Sequence, residues 1–149
     1  MFLLRPARPA LSGSILVTTM ILATVIVAGH SVVGADQGPV LKLKPDKHDF
    51  GKVTATNDSA PLTVTVTNKS RSAAITFTSI VAADTFSIQT DKCSASPLAP
   101  GRSCKLEVVF HPMVSGKVNA PDGLTFTDSA QNSPQKVELD GQGTLGSFL

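Results

Sequence analysis

Tryptophan and tyrosine are missing from this sequence, cysteine occurs twice and histidine three times. Each scarcity removes an explanation. Without tryptophan there is no pair of cysteines closed around a buried indole, the hallmark of antibody domains. Without either large polar aromatic, a stacking platform for sugars has little to build on. The histidines, His30, His48 and His111, stand far apart and suggest no convergence of the three or four ligands a metal such as zinc requires. No serine occupies a G-x-S-x-G elbow, so a hydrolytic triad has no anchor. Gly141-Gln-Gly-Thr-Leu-Gly146 matches G-x-G-x-x-G letter by letter. The dinucleotide fingerprint also needs a helix behind it and an acidic residue roughly 20 positions on, and neither is readable here. No catalytic, cofactor-binding or metal residue is assigned, and no cofactor is expected.

Acidic side chains are absent before Asp36, and no residue from Pro9 to Ala35 carries a charge. Within that stretch lies the one long apolar run, from Ile15 to Ala28, preceded by Arg5 and Arg8. Basic residues, then an apolar core, then small residues is the order of a secretory signal. Val33-Gly34-Ala35 suits a signal peptidase, which places cleavage between Ala35 and Asp36. The alternative is an uncut segment. Extended to Val33, the run approaches the roughly 20 residues of a membrane-spanning helix, and its basic flank would leave the remainder outside the cytoplasm. Residues 1–35 are thus read as signal peptide or membrane anchor, and 36–149 as an exported domain that is secreted, periplasmic or at the cell surface. With no cysteine near the junction, lipid attachment there is not expected.

Two of the thirteen basic residues precede the domain, while all eleven acidic residues belong to it, so the domain is balanced at eleven against eleven. A neutral domain with dispersed lysines lacks the basic footprint of a nucleic-acid binder. Its two cysteines, Cys93 and Cys104, are an even count in an exported chain, which favours a disulfide over two free buried thiols.

What the sequence has in quantity is alternation. Leu62-Thr-Val-Thr-Val-Thr67 places Leu62, Val64 and Val66 on one face and threonines on the other, the period of a half-buried strand. Cys104 to Phe110 repeats the pattern with Cys104, Leu106, Val108 and Phe110, and Gln135 to Asp140 repeats it with Val137 and Leu139. Further candidates are 40–44, 75–81, 85–89 and 124–127. Turn signals separate them, including Asn68-Lys-Ser70, Ser115-Gly116 and Pro121-Asp-Gly123. Pro45, Pro61, Pro112 and Pro121 are expected at strand ends, where a missing N–H does no harm. About seven short strands in this rhythm predict an immunoglobulin-like antiparallel β-sandwich, filled by Phe50, Phe77, Phe86, Phe110, Phe126 and aliphatic residues. A Cys93–Cys104 bridge would then be local, tying a loop to the strand that starts at Cys104.

Several segments together resemble a known module. These are His48-Asp-Phe-Gly-Lys-Val53, Leu62 to Asn68, Cys93 followed by Leu98-Ala-Pro-Gly-Arg-Ser-Cys104 and Val109-Phe-His-Pro112, and Ser133-Pro-Gln-Lys-Val-Glu-Leu-Asp-Gly-Gln-Gly143. In this order they resemble the Hydin-type (ASH, choice-of-anchor D) immunoglobulin-like domain over about residues 40–144. The resemblance implies a seven- or eight-stranded sandwich used for structure or docking, without a catalytic set. Three departures stand out. Ser70 and the stretch Thr54 to Asn57 lack glycines usual in the family, and Ala120-Pro-Asp-Gly123 looks like an insertion that would bulge and create a contact surface particular to this chain.

The function expected is that of a non-enzymatic exported structural or protein-binding module, with another envelope or surface protein as partner. The membrane would be touched only through an uncut N-terminal segment. A chaperone-like protein acting by β-strand pairing is one alternative. A small inhibitor or carbohydrate binder using the Ser94 to Ser103 loop is another. Asn57-Asp-Ser59 and Asn68-Lys-Ser70 also satisfy the N-glycosylation pattern, and are read as chance.

Overall fold

Residues 38–146 are described by a computed structural model. Arg5, Arg8, His30 and the expected junction Ala35–Asp36 lie outside the described residues. Eight strands follow in order: β1 Leu41–Lys44, β2 Lys47–Thr54, β3 Leu62–Asn68, β4 Phe77–Ala82, β5 Phe86–Asp91, β6 Ser103–Phe110, β7 Gly116–Asp128 and β8 Gln135–Thr144. They form two four-stranded sheets, β1-β3-β6-β5 and β2-β8-β7-β4. All neighbours run antiparallel except β2 and β8. The chain therefore forms an immunoglobulin-like sandwich of eight strands rather than about seven.

The extra strand is β2, and its sequence explains why period-two reading passes over it. His48 and Phe50 point inward, but the next inward residue is Val53, because the register with β8 slips between Asp49 and Lys52. Gly51 sits at the slip with φ 68°, a backbone conformation glycine adopts at low cost. A second irregularity corrects the expectation for Pro121. Pro121-Asp-Gly123 is not a turn between elements; it lies inside β7, between the pairs Ala120↔Leu139 and Leu124↔Val137. Pro121 is tolerated there because the bulge leaves its position unpaired with β8. The β4 partner does not reach it either, since its ladder on β7 ends at Leu124.

Sheet closure follows from the alternation. Val64 and Val66 of β3, with Leu106, Val108 and Phe110 of β6, meet Leu124 and Phe126 of β7 and Val137 and Leu139 of β8, all fully buried. Phe50, Phe86 and Phe110 stand together with ring centroids 5.2–6.0 Å apart, within the range of favourable aromatic contact. Phe77 packs at the rim against Phe126. The glycines of Gly141-Gln-Gly143 belong to this packing. A Cβ on Gly141 would stand 2.7 Å from Phe110 Cε1, so the ring occupies the space a side chain would need.

That contact yields a test. Gly141→Ala is expected to lower unfolding stability by about 1–3 kcal/mol, the usual range for an overpacked core. Urea denaturation followed by far-ultraviolet circular dichroism measures it, and an unchanged midpoint would mean that Phe110 moves aside freely.

Candidate functional site

The two ends of the sandwich differ in construction. At one end the described chain enters. Gln131 N–H donates to Pro39 O at 2.8 Å, and Leu41 exchanges two hydrogen bonds with the Asn132 side chain. The same end is closed by the loop between β5 and β6, in which Cys93 and Cys104 form the expected disulfide, their Cα atoms 5.2 Å apart. Asp91 caps the start of this loop, accepting from the amides of Cys93 (2.7 Å) and Ser94 (3.1 Å) and from the Ser94 hydroxyl. Partial burial pushes the Asp91 carboxyl up, but these three hydrogen bonds outweigh it and hold it below its ordinary value.

Asn68 fastens the loop to the body. The β3 alternation continues one step beyond Val66 and carries Asn68 to the inner face, where it is wholly buried. Its Nδ2 donates to Leu98 O (2.9 Å) and Ala73 O (2.8 Å), and its Oδ1 accepts from the Ser70 amide. A buried amide so satisfied ties the β3–β4 connection to the β5–β6 loop in one arrangement. Ser70 completes the turn by accepting from the amides of Ser72 and Ala73, which is how a hydroxyl serves where the resemblance favours glycine. In the folded chain Asn68 is closed to glycosylation, whereas Asn57 is exposed. Leu98 in turn pairs with Ile75 through two backbone hydrogen bonds.

The opposite end presents apolar side chains. Met113, Val114 and Leu145 are 65–73% exposed, at the β6–β7 connection and just past β8. Thr56 stands in the neighbouring turn, where the Asn57 amide donates to Thr54 O and φ at Thr56 is 70°. This is the position at which a type II turn favours glycine, so the departure from the family pattern is met by a strained threonine. His111 lies beside this turn. Its Nδ1 is 2.6 Å from Asp58 Oδ1, with both side chains well exposed, although the two residues are 53 positions apart. Ser59 does not extend this pair into a triad. Its hydroxyl donates to Ala60 O and accepts from the Phe110 amide. His48 packs edge-on against Phe50 at 4.7 Å.

On the outer face of β2, β8 and β7 a depression of about 420 Å³ is lined by Asp49, Lys52, Lys117, Asn119, Asp140 and Gln142 among others. Lys47 Nζ reaches Glu138 Oε1 at 2.6 Å and Asp140 Oδ2 at 3.2 Å, and Asn119 Nδ2 donates to Asp140 Oδ1. The carboxylates of Glu138 and then Asp140 raise the Lys47 ammonium above its ordinary value. The depression mixes both charge signs and offers no apolar lining wide enough for a greasy ligand. At the bulge, Asp122 pairs with Lys136 at 2.8 Å, and Gly123 is packed so that a Cβ would sit 2.5 Å from Leu139 Cβ. The Ala120–Gly123 segment bulges as expected, but it is anchored at both sides rather than free. Among the described residues no three His, Cys, Asp or Glu side chains gather as metal ligands.

Residues 39–142 match the HYDIN/CFA65/VesB-like, Ig-like domain family. The chain belongs to that family. Solved structures repeat the fold of this Ig-like domain at low identity. A protein of unknown function from Porphyromonas gingivalis W83 matches with 14% identity and a TM-score of 0.55 over 72% of this chain and 48% of that one. The Vibrio cholerae VesB protease matches with 20% identity and a TM-score of 0.50 over 69% of this chain and 31% of the protease. The ASH/PapD-like domain of human CEP192 is 9% identical, with a TM-score of 0.49, over 72% of this chain and 87% of that one. The chain thus spans less than half of the first two proteins, and the likeness is one of fold. No curated protein matches it.

Sequence reading named Cys93 and Cys104 and missed Asn68, the Asp58–His111 pair and the Lys47–Asp140–Asn119 network. Asn68 was within reach, because it is in phase with Val64 and Val66. The others join residues from separate strands and loops, and no local pattern encodes them.

Two outcomes follow. Replacing both Cys93 and Cys104 with alanine is expected to cost about 3 kcal/mol, the usual scale for a bridge across a short loop, read as a lower thermal midpoint. The second concerns pH. Burial pushes the Asp128 carboxyl above its ordinary value of 3.8, and the Ala130 amide and Gln135 side chain offset only part of this. Asp128 Oδ2 and Gln135 Oε1 are both buried without a hydrogen-bond partner. A carboxyl raised in the folded state takes up protons more readily there than in the unfolded chain, so stability falls as pH rises from 3.8 through the raised value. Asp128→Asn removes that decline: the variant should gain on the parent across this window and level off above it. Urea midpoints measured at several pH values check it, and a parallel offset at every pH would show that Asp128 does not titrate as described.

Proposed function

We propose that this Ig-like domain is exported and works as a non-enzymatic structural or protein-binding module. The observation that carries the reading is the Cys93–Cys104 bridge at the end where the described chain enters. A disulfide that closes a structural loop persists in an oxidising compartment and is rare in a reducing cytosol. The charge-free N-terminal run gives the route out, as a cleaved signal or as an anchor. Membership of the Ig-like family supports a module that acts by contact, as does the exposed apolar end formed by Met113, Val114 and Leu145, since grouped surface hydrophobes mark contact surfaces. The protease label of VesB belongs to a chain of which this one covers 31%, and it does not transfer. At the exposed Asp58–His111 pair, the adjacent Ser59 hydroxyl is already committed to main-chain partners.

Fractionation of the native source followed by intact mass analysis tests export. The expected species is outside the cytoplasm and two hydrogens lighter than its reduced form. It begins at Asp36 if the signal is cut, or retains residues 1–35 if the segment is an anchor. A soluble cytoplasmic chain with two alkylatable thiols would overturn the reading.

A further inference from the structure

The four sheet edges are β1, β2, β4 and β5, and they are not equally protected. β5 is uncharged up to its last residue, Asp91, but its register slips midway, between Ile88 and Thr90, whereas β1 carries Lys42 and Lys44 and β2 carries Lys47, Asp49 and Lys52. Such charges discourage pairing with a foreign strand. β4 reads Phe-Thr-Ser-Ile-Val-Ala, and from Ser72 to Ala83 the chain has no charge, proline or glycine. Its Val81 is 57% exposed.

The register on β7 shows which main-chain groups are open. Ala83 N–H donates to Gly123 O at 2.9 Å, continuing the series Val81↔Thr125 and Ala82↔Leu124. In an antiparallel ladder hydrogen-bonded and non-hydrogen-bonded pairs alternate. Ala83 and Val81 therefore bond toward β7, and Ile80 and Ala82 aim their N–H and C=O groups at the open edge. The side chains of Ile80 and Ala82 pack on the core, which leaves Val81 on the outer face.

We propose that β4 pairs antiparallel with β4 of a second copy of this chain about a two-fold axis at Val81. This deepens the reading of the domain as a contact module and rests on it. In that register Ile80 of each copy faces Ala82 of the other, and the outward groups of both residues exchange four hydrogen bonds. Val81 meets Val81 as a non-hydrogen-bonded pair, the closer of the two kinds. A two-fold interface must be self-complementary, and a strand free of charge satisfies this without like charges meeting. Asp84, the nearest carboxylate, falls opposite Thr78 of the second copy rather than its own counterpart. β5, at the same side of the sandwich, has no charge before Asp91. The register slip between Phe77 and Ser79 limits the ladder to Ser79 through Ala83, so the association is short and reversible.

Val81→Cys tests it in the full chain in mild detergent, because the native cysteines are bridged and none is free. Under mild oxidation this variant should form a covalent dimer at least about tenfold faster than Thr63→Cys on the outer face of β3 or Lys42→Cys on the β1 edge, since pairing raises the local thiol concentration. Val81→Lys, at an exposed position, should keep the far-ultraviolet spectrum and halve the sedimenting protein mass. Crosslinking of Val81→Cys at the control rate, or an unchanged mass for Val81→Lys, overturns the proposal. These readouts concern purified chain, whereas export is judged on the native cell fraction, so either reading can fail alone.

Discussion

Everything in this sandwich depends on bringing two sheets to contact distance over a core that contains no residue larger than phenylalanine. Phe110 is central to that closure. It comes from β6 in one sheet, stacks with Phe50 and Phe86, and fills the space above Gly141 on β8 in the other. The large residue and the missing side chain form one unit. Were both medium-sized, the rings of Phe50 and Phe86 would lose their neighbour, and a domain of this size has little stability to spare. In a core without tryptophan, this aromatic volume comes from three phenylalanines on three strands, β2, β5 and β6.

The parts of this structure that were legible beforehand are those governed by period two. β3, β6 and the first half of β8 appear in the sequence in phase, with the inward set named residue by residue, and five phenylalanines were assigned to the interior where they are found. The failures have a common cause. β2 and β7 each contain an irregularity that shifts the phase, at Gly51 and at Pro121–Gly123, and a pattern that changes phase reads as an interruption. Asn68 belongs both to the turn signal Asn68-Lys-Ser70 and to the strand segment Leu62 to Asn68, and only its phase with Val64 and Val66 marks it as a core residue. Contacts such as Asp58 with His111 arise only once the sheets have closed.

The family departures are resolved in different ways. Ser70 stands where the family favours glycine without a positive φ, and its hydroxyl orders the turn by accepting from the Ser72 and Ala73 amides. Thr56 replaces one with no such compensation visible and holds a positive φ. The Ala120–Gly123 insertion is tied down by the Asp122–Lys136 pair and by Gly123 against Leu139. Two of the three departures thus stand away from the stapled end, at the Thr56 turn and at the β7 bulge, whereas Ser70 is built into the Asn68 hydrogen bonds beside the bridged loop.

The stapled loop has a consequence beyond its own stability. Leu98, within the bridged segment, pairs with Ile75, just ahead of the strand that carries no charges. The covalent link therefore screens the upstream part of an aggregation-prone stretch, a task usually left to gatekeeping lysines or prolines. Opening the bridge by reduction would free the loop that holds Leu98 against Ile75 and so lengthen the uncharged margin of the domain.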